Sequence, residues 1–254
     1  MPGHPTPYRA AVPHDHFDER IAPAYDRTSA ALFAPSALDP TVAFLAGLAG
    51  TGAALELGIG SGRVALPLSR LGVRVHGIDL SPSMVAQLAA KPGSEAIAVT
   101  IGDIATTTVE GPFRLVFVVF NTISNLTTQA EQVACFANAA YHLEPGGRFV
   151  VELWVPELQR LPPGERIRPV RVDDGGLSFD EIDVVTQSGT SHHYAFVDGR
   201  LDRFSVPYRY AWPAELDLMA QLAGLDLRER WGGWNHEPFT SASTSHVSVW
   251  EKPR

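Results

Sequence analysis

The chain has 254 residues, 45% of them hydrophobic, enough to bury one core with a sizeable insertion. Its formal net charge is -8 and no basic run occurs, which excludes the cationic stripe of a nucleic-acid binder and a polybasic membrane surface. One cysteine, Cys135, excludes an intramolecular disulfide, and no apolar stretch reaches transmembrane length, so a cytoplasmic protein is expected.

The first residues, rich in Pro and His, lack the apolar core of a signal peptide. From about residue 53, strand-like and helical patterns alternate. Ala53 to Gly58 reads as a short buried strand ending in glycines, and Val64 to Leu71 as a helix. Val73 to Ile78 is a second strand, ending at Asp79. Ser81-Pro82 starts a helix that runs to about Ala90, because Ser caps and Pro suits the first turn. Ala96 to Ile101 and Phe113 to Phe120 are the third and fourth strands. Gln129 to Leu143 is helical, Pro145-Gly146-Gly147 a turn, and Arg148 to Trp154 a fifth strand. This alternation predicts βαβ units and a mostly parallel sheet covered on both faces.

The pattern then changes. Turn signals at Asp173-Asp174-Gly175-Gly176, Ser188-Gly189 and Asp198-Gly199 separate three alternating runs: Phe179 to Thr186, His192 to Val197 and Arg203 to Tyr210. They predict an antiparallel meander. Pro213 to Ala223 is a helix, and Leu225 to Arg230 and His246 to Trp250 are closing strands. Four regions follow: an N-terminal arm with helices over residues 1–52, a ligand-binding core over 53–154, an antiparallel insertion over 155–212, and a closing helix and strands over 213–254. The fold class expected is α/β, a Rossmann-like seven-stranded mostly parallel sheet with an inserted antiparallel β cap.

The most informative segment runs from Glu56 to Arg63, with Gly58, Gly60 and Gly62 between a buried strand and a helix. Glycines there permit positive φ and close approach of a ligand, and the helix start offers free N–H groups. Asp79 ends the next strand, where an acid would meet ribose hydroxyls. Asp103, in Gly102-Asp103-Ile104, ends the third. The glycine spacing departs from the dinucleotide pattern, which argues against a nicotinamide-dependent oxidoreductase.

These residues resemble the class I S-adenosylmethionine-dependent methyltransferases. Leu55 to Gly62 matches their first motif, Asp79 the acid that follows it, and Gly102-Asp103-Ile104 the segment flanking adenine. Phe120-Asn121 and the Leu143 to Gly147 turn also fit, so the resemblance covers about residues 53 to 154. It implies S-adenosylmethionine as cofactor. Glu56 would organise the methionine ammonium side, and Gly58, Gly60 and Gly62 would give the cofactor room. Asp79 would hold the ribose, with Leu80 and Met84 beside it. Gly102, Asp103 and Ile104 would meet adenine, and Phe120 and Asn121 the methionyl part, with Arg63 near its carboxylate or paired on the helix surface.

The insertion resembles the substrate cap of small-molecule methyltransferases of the glycine and antibiotic aminosugar N-methyltransferase types. The implied reaction is methyl transfer to a small-molecule acceptor, an amine in secondary metabolism. No nucleic-acid or membrane partner is implied, and a homo-oligomer is left open. Alternatives are a small-molecule O-methyltransferase and a non-catalytic S-adenosylmethionine-binding module. Tyr25, Glu152 and His236 are the catalytic candidates, and Trp154, Tyr194, Tyr208 and Trp234 the acceptor-binding ones. For Tyr25 the competing reading is helix packing, for Glu152 pairing with an arginine of the meander, and for His236 a packed surface loop. His14-Asp15-His16 and His192-His193 lack further spaced ligands, so no metal is expected.

Overall fold

A computed structural model describes residues 15–173, 176–197 and 200–254. The N-terminal arm through His14, and the turn residues Asp174, Gly175, Asp198 and Gly199, lie outside the described residues.

Two helices, α1 (Ala22–Thr28) and α2 (Pro35–Ala49), precede the sheet. The core then runs β1 (Ala53–Leu57), α3 (Ala65–Arg70), β2 (Arg74–Asp79), α4 (Pro82–Ala89), β3 (Ala98–Ile101), β4 (Phe113–Val118), α5 (Gln129–His142) and β5 (Leu143–Trp154). The insertion holds β6 (Ile167–Asp173), β7 (Gly176–Asp183), β8 (Ser188–Val197) and β9 (Arg200–Arg209). Helix α6 (Pro213–Leu222) and strands β10 (Asp226–Trp231) and β11 (Ser245–Glu251) close the chain.

The main sheet has seven strands in the order β10-β11-β5-β4-β1-β2-β3. Only β11 runs against its neighbours, so the expected mostly parallel sheet is found. Apolar runs at β1 and β4 bury both faces. One core cluster joins Leu55, Val116, Phe136, Phe149 and Trp250, and another, on the other face, joins Leu45, Ala54, Leu68, Phe117 and Val249. The strand order reverses between β1 and β4, where the crevice at the carboxyl ends of an open α/β sheet takes its ligand. Helix entries follow local chemistry. Ser81 caps α4 by accepting from Met84 N–H, and Thr128 with Glu131 forms a capping box at α5. Among the described residues no helix is long and apolar enough to cross a membrane.

The insertion is a separate four-stranded antiparallel sheet in the order β6-β7-β8-β9. It packs Ile182, Tyr208 and Tyr210 against Trp154, Leu158 and Leu161. Arg209, 4% exposed, fixes the end of β9 to the core. Its guanidinium donates to Gln132 Oε1 (2.6 Å), Glu215 Oε1 (2.6 Å) and Gln187 Oε1 (3.3 Å).

Several boundaries differ from expectation. Ser188-Gly189 is not a turn but the start of β8, because the chain reverses earlier, over residues 184–187. Gly189 faces Tyr208, and a Cβ there would lie 2.3 Å from the phenol ring, so the glycine serves ring packing. Strand β6 was not expected: Val170 to Asp173 alternate, but Pro169 interrupts the run, and the strand is mostly exposed. Pro145-Gly146-Gly147 stays inside β5: Gly146 N–H donates to Lys252 O (2.7 Å) and Lys252 N–H to Gly147 O (3.0 Å), pairing the segment with the C-terminus. The third strand starts at Ala98, after a 3-10 turn over Ser94–Ala96. The fourth ends at Val118, because Phe120 and Asn121 take positive φ (54° and 61°).

Candidate active site

A cavity of about 520 Å³ opens at the carboxyl ends of the central strands, within the range of small-molecule sites. Its floor is the turn after β1. Gly58 and Gly60 line it with φ of +82° and +54°, a region costly for residues with a Cβ. A Cβ on Gly60 would meet only Met84 Cε, at 3.4 Å, so it would project into the open space. Gly62 is different. A Cβ there would lie 2.4 Å from Leu88 Cδ1, so that glycine admits α4 rather than a ligand. The same holds for Gly102, whose Cβ would strike Thr107, 2.1 Å away. Neither lines the cavity.

Asp79 stands beside the turn. Its Oδ2 accepts Gly60 N–H (2.6 Å) and its Oδ1 accepts Ser81 N–H (2.8 Å), so it orders both the glycine turn and the start of α4. Burial raises its pKa above the ordinary aspartate value, against the two N–H donors that lower it. Leu80 and Met84 complete this wall, and Asp103 and Ile104 line the next. Asp103 Oδ1 accepts Ala105 N–H (2.8 Å).

Glu56 lies beneath the floor, 3% exposed and outside the lining. Its Oε2 is buried with no hydrogen-bond partner among the described residues. Burial pushes its pKa well up, opposed by the nearby Arg63 charge and reinforced by Asp79. Arg63 does not line the cavity either; its guanidinium lies over the Phe120 ring, 4.9 Å from the centroid.

Phe120 and Asn121 form a strained elbow on the far wall. Strand β5 braces it. Glu152 Oε2 accepts Phe120 N–H (2.7 Å), and Asn121 Oδ1 accepts Trp154 N–H (2.8 Å). The other Glu152 oxygen accepts the Trp234 indole N–H (2.8 Å). Glu152 is therefore held by a backbone amide and an indole, neither by a meander arginine nor at the cavity wall. It has no proton-transfer geometry toward a ligand there.

The N-terminal segment closes the cavity with Asp15, His16, Phe17 and Tyr25. Tyr25 meets Phe17 edge to face at 5.8 Å, and burial raises its pKa, keeping the phenol neutral. Ser124, Asn125, Leu126, Thr127 and Glu131 extend the wall toward α5, where Pro207 of β9 meets it.

Five candidates from the sequence lie elsewhere. Exposed His236 packs against Phe44 (5.1 Å) and Trp231 (4.9 Å), so its loop folds onto α2 rather than over the cavity. Trp234 packs on Phe44 in the same way (5.4 Å). Tyr208 is turned toward Trp154 (5.7 Å) on the opposite face of its strand from Pro207, with its hydroxyl buried. Tyr194 stacks on Phe179 within the cap sheet, and Trp154 joins the cap to the core. None lines the cavity. His192 bonds Ser205 Oγ and His193 stacks on Phe204. Sequence reasoning missed the wall from Thr122 to Glu131, although Thr128-x-x-Glu131 is a readable capping signature.

Comparison with known proteins matches residues 54–147 to the methyltransferase domain family. The cypemycin N-terminal methyltransferase of a Streptomyces species is 30% identical over 244 residues, 93% of this chain and 97% of that protein. The CcbJ methyltransferase from Streptomyces caelestis superimposes with a TM-score of 0.77 at 38% identity, covering 85% of this chain and 89% of that one. S-adenosylmethionine-bound CalS10, an amino pentose methyltransferase of calicheamicin biosynthesis from Micromonospora echinaspora, gives a TM-score of 0.66 at 21% identity, over 89% of this chain and 96% of that one.

Proposed function

The chain belongs to the S-adenosylmethionine-dependent methyltransferase family, and on that premise we propose that it methylates the nitrogen of a small, positively charged amine in secondary metabolism. One observation carries the choice of nitrogen. Among the described residues, every acidic or basic side chain lining the cavity, His16 apart, is a carboxylic acid: Asp15, Asp79, Asp103 and Glu131, with no lysine or arginine. Such walls favour a sulfonium and an ammonium over an anionic or neutral partner. The names of the relatives agree: one is an N-terminal methyltransferase and another an amino pentose methyltransferase.

Bound S-adenosylmethionine supplies an electrophilic methyl group on its sulfonium; the protein supplies alignment and exclusion of water. In this reading Asp79 holds the ribose hydroxyls, and Gly58 and Gly60 let the cofactor approach the backbone. Asp103 and Ile104 border adenine, and Phe120 and Asn121 hold the methionyl part. The orphaned Oε2 of Glu56, below the floor, suits a cationic neighbour reached through the turn. Tyr25, on the N-terminal side, orients the acceptor as a neutral phenol. An ammonium must lose its proton before its nitrogen attacks. Glu131 is suited to hold that charge: its Oε2 accepts Thr128 N–H (2.9 Å), while its Oε1 has no bond among the described residues. Glu152 keeps Phe120 in place and is not the base. Residues 53–154 then form the cofactor core, and 155–212 reach the acceptor space through Pro207.

The test is methyl transfer from labelled S-adenosylmethionine to matched acceptors: amino sugars and short peptides, their N-acetyl forms, and the corresponding alcohols. Mass spectrometry should place the added methyl on nitrogen in the free amines only. Methylation of the alcohols, with the amines inert, would make this an O-methyltransferase.

A further inference from the structure

The N-terminal segment contributes four residues to the cavity wall, and two polar ties hold it to the core. At one end the Ser81 hydroxyl, at the cap of α4, donates to the carbonyl of Phe17 (2.7 Å). At the other, Asp26 bonds the glycine turn and the end of α4 together. Its Oδ1 accepts the Ser61 hydroxyl (2.5 Å), and its Oδ2 pairs with the Lys91 ammonium. Lys91 also donates to the Ser61 carbonyl (2.7 Å) and sits 5.3 Å from the Phe33 ring. Ser61 is 2% exposed and lies between Gly60 and Gly62, so the tie reaches into the cofactor turn itself.

We propose that Asp26, Ser61 and Lys91 are positioning residues that latch the segment carrying Phe17 and Tyr25 over the cavity, and thereby set how fast cofactor enters and product leaves. The inference rests on the cavity being the cofactor site. Its physical basis is the strength of the tie. Hydrogen bonds to charged groups are worth more than an exposed ion pair, but Lys91 and Asp26 keep 25% and 38% of their side-chain surface, so the latch is strong enough to form and weak enough to open. A closed latch stands in the ligand's path in both directions, so its open fraction limits entry as well as exit. A residue that merely contacts bound cofactor would change exit alone.

The experiment measures association and dissociation rates of S-adenosylhomocysteine by stopped flow, so it needs no acceptor. In Lys91→Met and Asp26→Asn both rates should rise by roughly three- to tenfold, with the equilibrium constant moving less than about twofold. Lys91→Arg should behave as wild type. Raising ionic strength should accelerate wild-type release and leave Lys91→Met unchanged, since the ligand has no net charge at neutral pH and the latch has two screened charges. Circular dichroism checks folding, with Ser61→Ala as a second variant should either of the first two unfold. Faster dissociation with unchanged association would overturn the latch, as would no change in either rate. If the wild type binds no S-adenosylhomocysteine, the cofactor assignment falls first and the latch with it.

Discussion

Glu56 stands one residue before the end of β1 and Asp79 ends the neighbouring β2, and burial raises both their pKa values. They differ in partners. Asp79 gains two backbone N–H donors, at 2.6 and 2.8 Å, and faces the cavity. Glu56 keeps one buried oxygen with nothing to accept among the described residues. Asp79→Asn should therefore weaken S-adenosylhomocysteine binding by at least tenfold, since each bond from a ribose hydroxyl to a charged acceptor is worth about 1.5–3 kcal/mol. Calorimetry on a variant with unchanged circular dichroism tests this, and wild-type affinity would remove Asp79 from the ribose. Glu56 makes a pH prediction. Between the ordinary carboxylate range and its raised folded value, the native state holds a proton that the unfolded chain gives up. Stability of the cofactor-free protein should therefore be fullest at the acid end of that window and decline as pH rises through it. Glu56→Gln should remove the decline, so that the variant's melting temperature gains on wild type as pH rises above the ordinary carboxylate range. Parallel curves for the two proteins would show that Glu56 is already ionised when folded.

Local signals carried furthest at the scale of elements. The parallel sheet was legible because its strands are continuous apolar runs, and the glycine turn because its spacing is local. Which way a side chain faces in the cap was not legible. Tyr208 and Pro207 are neighbours on β9, yet only Pro207 reaches the cavity, and the pairing register decides which. Glu152 lies near the carboxyl end of β5, and its partners, Phe120 N–H and the Trp234 indole, come from segments that sequence could not bring together. Glu131 reads as a helix cap, which it is; its second use depends on the wall around it. The cap itself hangs on Arg209. Replacing it by methionine leaves Gln132, Gln187 and Glu215 without their shared donor, and breaking such a buried pair costs about 3–5 kcal/mol. Urea unfolding should show that loss at neutral pH. Burial raises the Glu215 pKa, but bonds from Arg209, Gln129 and Gln187 outweigh it and hold the value low. The difference between the two proteins should accordingly shrink as pH falls through the folded Glu215 value. An equal loss at all pH values would mean that Arg209 acts through packing alone.

Across the whole molecule, charge is unevenly used. The chain has a net charge of -8, but several of its arginines serve ion pairs within the main sheet and the cap, such as Arg148 with Glu251 and Arg168 with Asp180, and none of the described ones lines the cavity. The field in the cavity is therefore set by acids. Of these, Asp79 is committed through both oxygens to the turn and to α4, and Asp103 through one to its own loop. Glu131 stands apart, at the far end of the wall beside Pro207, with one oxygen uncommitted. It is the acid best placed to choose between charged and neutral acceptors. Glu131→Gln keeps the size of the side chain and an acceptor for Thr128 N–H while removing the charge. For a protonated amine, KM should rise by roughly tenfold, the loss of one charge-assisted hydrogen bond, with S-adenosylhomocysteine affinity unchanged. For an uncharged acceptor of similar shape, KM should barely move. The division between kcat and KM then separates two roles. A raised KM with kcat intact means that Glu131 only holds the charge. A fall in kcat that recovers at high pH, where the amine arrives already deprotonated, means that it also takes the proton. Equal effects on charged and neutral acceptors would deny Glu131 both roles and leave it the cap of α5.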